Sequence, residues 1–89
     1  MSAQEYVAHN IRKFRVAQGL SQEALAAEAG IDRTYVGRVE RCKENPTVAV
    51  LERVSVALGV DIQALFEPPP KGAKLPKPLS GGRKPASKR

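Results

Sequence analysis

Arg33, Thr34 and Arg38 are the side chains of this sequence best suited to chemistry. In the stretch QEALAAEAGIDRTYVGRVER, residues 22–41, the apolar positions Leu25, Ala29, Ile31, Val36 and Val39 recur at helical spacing and face inward. Arg33, Thr34, Gly37 and Arg38 fall between them and face outward. A guanidinium is a planar fork of donors that fits two adjacent acceptors, and a hydroxyl can both donate and accept. That is the chemistry of recognition rather than of bond-making. The chain has one histidine, His9, and one cysteine, Cys42. It shows no Ser/His/Asp or Cys/His grouping, no phosphate-cradling glycine loop and no metal-ligand spacing. No enzyme activity, metal or cofactor is expected, and no disulfide can form within the chain.

Short helices must position these residues. Val7, Ile11 and Phe14 share one face of a first helix over residues 4–18, which Gly19 ends and Leu20 follows. Ser21 caps a second helix over 22–29, with Glu23 in its first turn; Ala24 at the third position rules out a full capping box. Gly30 supplies a left-handed turn, and Ala26 is small where the next helix crosses. Asp32 caps a third helix over 33–41. Asn45-Pro46 breaks the chain, and Thr47 caps a fourth helix over 48–58, striped by Leu51, Val54 and Leu58. Asp61 caps a last short helix that ends at Phe66, before Pro68. The expected fold is all-α, with five helices over residues 1–66.

Residues 67–89, EPPPKGAKLPKPLSGGRKPASKR, are rich in Pro, Gly, Lys and Ser and predict a disordered tail. The formal net charge is +6, but it is unevenly placed. Residues 1–70 hold eight Lys or Arg against nine acids; residues 71–89 hold seven Lys or Arg and no acid. The tail is therefore a solvated spacer or a basic arm for nucleic acid; it lacks the apolar anchors for a membrane surface. No secretory signal or membrane-length apolar run is seen, which predicts a cytoplasmic protein.

Three phrases in order, IRKFRVAQGLSQEALA, AGIDRTYVGRVE and NPTVAVLERVSVALG, resemble the lambda repressor/Cro-type (XRE) helix-turn-helix family over residues 7–66. The resemblance implies a five-helix, lambda repressor-like DNA-binding domain that represses or activates transcription from an operator, with repression the expected sense. The helix 33–41 would enter the major groove of double-stranded DNA. Arg33, Thr34 and Arg38 align with base-reading positions, and two arginines favour guanine. Gln22 and Tyr35 align with positions that contact phosphate or buttress the readers. Lys43, Asn45 and Thr47 lie where the loop and the next helix start would meet phosphates. Arg15 and Glu40 match a structural ion pair. At position 42 similar proteins have Gly; Cys42 either takes a positive φ at about 1 kcal/mol or ends the helix differently.

Relatives bind as dimers, and Val60, Ile62, Leu65 and Phe66 offer apolar surface for a homodimer contact. Bound to DNA, the protein would sit on the bacterial nucleoid. A second reading is an antitoxin-like or adaptor protein that uses the same fold to bind another protein. Such a surface would favour apolar residues on the outer face of helix 33–41, where this chain has two arginines and a threonine. No small-molecule ligand is expected, because the domain is too small to enclose one.

Overall fold

The computed structural model describes residues 2–72. Four α-helices follow one another: α1 (Ala3–Ala17), α2 (Gln22–Ala29), α3 (Arg33–Glu40) and α4 (Val48–Leu58). A 3-10 helix, Ile62–Phe66, takes the place of a fifth α-helix. Asp61 makes no side-chain capping bond there, contrary to expectation. A five-residue segment has too few turns to settle into the longer i→i+4 ladder, and 3-10 geometry is common in such short pieces.

Each α-helix starts on a residue whose side-chain oxygen accepts a backbone N–H that the helix cannot satisfy itself. Ser21 accepts from Ala24, Asp32 from Thr34 and Thr47 from Val50. α1 begins earlier than its apolar face suggests, because Ser2 accepts from the Glu5 N–H while the Glu5 carboxylate accepts from the Ser2 N–H at 2.7 Å. This reciprocal pair is a capping box, legible as Ser-x-x-Glu at residues 2–5 but missed in the pattern above. The bond from the Ser2 N–H holds the Glu5 carboxyl below its ordinary range.

The helices end alike. After each comes a left-handed residue: Gly19, Gly30, Cys42 and Gly59. At α3 the Cys42 N–H donates to the Val39 carbonyl and the Lys43 N–H to the Arg38 carbonyl, the paired closure of a Schellman turn. Cys42 is the one non-glycine residue with positive φ among the described residues, at 58°. Its Cβ costs about 1–2 kcal/mol in that conformation, against about 0.5–1 kcal/mol of extra chain entropy for glycine. Cys42→Gly should therefore stabilise the domain by about 0.5–1 kcal/mol. Urea unfolding checks this, and a lower midpoint for the glycine variant would show that the Cys42 side chain holds the turn by packing.

Apolar faces of all five segments meet in one core. Leu25 and Leu65 are fully buried, and Val7, Ile11, Val36, Val39, Leu51, Val54 and Leu58 close around them. Leu65 thereby leaves the set of expected dimer contacts: the 3-10 helix packs against α1 and turns Leu65 inward. Asn10 fixes that packing, its buried amide donating to the carbonyls of Leu65 and Glu67 at 2.9 and 2.8 Å. Gln18 ties α1 to the end of α4 through the Leu58 carbonyl at 2.6 Å. His9 is buried in α1, and its Nδ1 has no hydrogen-bond partner among the described residues. No described helix is long and apolar enough to cross a membrane. Of the tail 67–89, residues 73–89 lie outside the described residues.

Candidate nucleic-acid interface

α2 and α3 form a helix-turn-helix. The turn is short because Gly30 takes a φ of 71° and the Ile31 N–H reaches back to the Ala26 carbonyl. Ala26 and Ala29 are buried, so α3 crosses close over α2, where a larger side chain would hold it off. Val36 and Val39 pin the inner face of α3 to the core.

A buried ionic brace fixes the end of α3 from behind. The Arg15 Nε–H donates to Glu40 Oε2 at 2.6 Å and its Nη2–H to Oε1 at 2.9 Å, a two-pronged pair. Both side chains are essentially inaccessible, 2% and 0% exposed. Glu40 Oε1 also accepts from Arg12 Nε at 3.3 Å and Gln22 Nε2 at 3.2 Å. Arg15 Nη1 donates to the Leu20 carbonyl at 2.9 Å. One carboxylate on α3 is thus tied to α1, to the start of α2 and, through Arg15, to the turn between them. With water excluded, such a network acts as a rigid joint, since every alternative leaves a charge unpaired.

The outer face of α3 carries Arg33, Thr34 and Arg38, all exposed. Arg33 and Thr34 occupy the first turn, beside the Asp32 cap. Arg38 is not free: its Nε–H donates to Glu44 Oε1 and its Nη2–H to the Lys43 carbonyl, both at 2.9 Å. Gly37 was expected outward but is buried, covered by side chains. A Cβ there would stand 3.2 Å from Arg41 Nη1 and 3.4 Å from Gln22 Oε1. Its missing side chain lets Arg41 and Gln22 lie across the helix.

The expected supporting residues separate into two kinds. Gln22 joins the brace through Glu40, and Tyr35 is half-buried against the core. Lys43, Asn45 and Thr47 are exposed along the loop into α4, the Thr47 oxygen already accepting the Val50 N–H. Four participants went unremarked in the sequence: Arg12 on the brace, Arg41 over Gly37, Glu44 beside Arg38, and Gln4. The Gln4 amide reaches from α1 to the carbonyls of Cys42 and Glu44 at 3.3 and 3.2 Å. Arg12 was accessible to inspection, three residues before Arg15 on the same helical face. Arg41 was open to the same reading, four residues after Gly37. The Gln4 and Glu44 contacts depend on the loop path at the positive φ of Cys42.

A two-helix unit with a braced second helix and a polar outer edge defines a DNA-binding class of domain. A helix-turn-helix family model matches residues 11–65, and the chain belongs to that family, the Cro/C1-type (XRE) DNA-binding transcription regulators. It is 46% identical over 69 residues to a Neisseria meningitidis protein described as a hypothetical transcription factor, covering 78% of this chain and 65% of that one. The solved structure of a Neisseria transcription factor of this description superposes with a TM-score of 0.75 at 43% identity, over 79% of this chain and 80% of that one. Control protein C.SmaI of Serratia marcescens is 40% identical over 66 residues, covering 74% of this chain and 79% of its own. The crystal structure of SinR, a master regulator of biofilm formation in complex with DNA, superposes at a TM-score of 0.66 with 32% identity, over 68% of this chain and 98% of that one.

Proposed function

We propose that this protein binds duplex DNA sequence-specifically and represses transcription as a dimer at an operator, with α3 seated in the major groove. The observation that carries this reading is the pairing of a solvent-facing donor edge, Arg33, Thr34 and Arg38, with a buried brace behind the same helix. Arg33 and Arg38 read guanine; Thr34 contacts a neighbouring base edge. Lys43, Asn45 and Thr47 line the approach to the start of α4, where backbone N–H groups and the helix dipole favour phosphate. Gln22 and Tyr35 support the reading helix from α2 and the core. The protein acts by occupying the operator in the cytoplasm, on the nucleoid, and residues 1–66 make up the DNA-binding domain. Selection from random duplexes at low and moderate salt tests the reading. Enrichment of a two-fold, guanine-containing site is expected, and no enrichment at low salt would defeat it.

The dimer contact uses Val60, Ile62 and Phe66, joined by Val56. Phe66 is 42% and Val56 75% exposed, an apolar surface that a single copy leaves in water. The pair of changes Val56→Asp and Phe66→Asp should weaken self-association at least about tenfold, since buried anchors dominate such contacts. Sedimentation at micromolar concentration measures this. A wild-type chain that stays monomeric with and without DNA would remove the dimer from the scheme.

A further inference from the structure

Glu44 places a carboxylate beside a face otherwise furnished with Arg33, Arg38, Arg41 and Lys43. An acid there repels phosphate, so its presence calls for a compensating use. The guanidinium of Arg38 has five N–H donors. The Nε–H is committed to Glu44 and one Nη2–H to the Lys43 carbonyl. Both commitments fall along one edge of the fork. What is left is the terminal pair, Nη1 and the outer Nη2–H, a geometry that meets two adjacent acceptors end-on.

The groups that hold Arg38 are themselves held. The Lys43 N–H donates to the Arg38 carbonyl at 2.8 Å while the Lys43 carbonyl accepts from the Arg38 side chain, so the two residues are joined in both directions. Cys42 turns the chain back at positive φ, and Gln4 grips the carbonyls on either side of Lys43 from α1. An exposed ion pair alone adds little to stability. Here the carboxylate sits on a turn fixed from two helices, and it restricts a side chain whose rotamers would otherwise reach many phosphates.

We propose that Glu44 is a specificity-determining residue that acts through Arg38. It pins the side edge of the guanidinium, presents only the terminal fork to the groove, and lowers affinity for phosphate on non-cognate DNA. Discrimination thus gains a repulsive element alongside the attractive one. The proposal rests on the reading of Arg38 as a base-contacting residue.

The test compares wild type, Glu44→Ala, Glu44→Gln, Arg38→Ala and the Arg38→Ala/Glu44→Ala pair on three duplexes: the selected site, the site with the Arg38-dependent guanine replaced, and unrelated DNA. Glu44→Ala should bind unrelated DNA several-fold more tightly and lose about tenfold of its preference for the guanine, roughly the discrimination of one two-pronged contact. Glu44→Gln, which keeps an acceptor, should lose less. With Arg38 already replaced, changing Glu44 should leave the preference unaltered. If Glu44→Ala raises affinity for all three duplexes by one factor, Glu44 is a charge and nothing more, and the proposal fails while the Arg38 reading stands. If Arg38→Ala leaves every base preference intact, both fail.

Discussion

Replacing Glu40 by alanine is expected to destabilise the domain by about 3–5 kcal/mol, the usual consequence of stranding a buried partner charge. For a domain of this size that is a fall in Tm of more than about 10 °C. The cause lies in what remains behind. Arg15 is 2% exposed and loses the acceptor for two of its donors, keeping only the Leu20 carbonyl. Arg15→Ala should cost somewhat less than Glu40→Ala, because Glu40 keeps Arg12 and Gln22 as donors. The two changes together should cost less than their sum by more than about 1 kcal/mol, since each single change already forfeits the shared interaction. Urea unfolding of the four proteins closes the cycle, and strict additivity would show that the brace is not an energetic unit. Replacing the pair by Met and Leu of similar volume should recover much of the loss, because a buried ion pair is easier to substitute than to break. What that variant should not recover is α3's orientation, since Gln22 and Arg12 lose their common anchor.

The helix-turn-helix was legible because local rules specify it. Each of the α-helices starting at Gln22, Arg33 and Val48 follows a Ser, Asp or Thr that caps it, and glycines mark three of the four helix ends. The family phrases aligned Arg15 with Glu40 without any coordinates, and the structure places their side chains 2.6 Å apart. The less legible features depend on tertiary packing. Leu65 looks like surplus apolar surface in a short terminal segment until Asn10 is seen tying that segment down onto α1. Gly37 looks outward on a helical wheel, but a wheel does not show Arg41 and Gln22 folding over it. Glu44 is six residues from Arg38, beyond the reach of helical spacing rules. Only the reversal of the chain at Cys42 brings them together.

Arg33→Ala should weaken binding to the selected operator by about 5- to 150-fold, the range of about 1–3 kcal/mol for a two-pronged base contact. The same change should leave the melting temperature level or slightly higher. That pairing of outcomes follows from where Arg33 sits. It opens α3, where the backbone N–H groups point outward and the helix dipole is positive, and no acid occupies this first turn. A cation there is unfavourable by a few tenths of a kcal/mol, relieved in part by the Asp32 cap. The side chain is exposed and has no hydrogen bond or ion pair to the rest of the described residues, so the fold gains nothing from its charge. Arg38, by contrast, stands in the last turn of the same helix, where a cation is favoured, and is engaged with Glu44. On the proposed reading, a duplex supplies the acceptor that the solvent-facing cation of Arg33 lacks among the described residues. The measurement is affinity on the selected site, on single-base variants and on unrelated DNA across a salt series. Loss confined to the selected site, with the salt slope nearly unchanged, identifies a base contact. An equal loss on every duplex, with the slope lowered by about one unit, would make Arg33 a phosphate contact and leave the reading of sequence to Thr34 and Arg38.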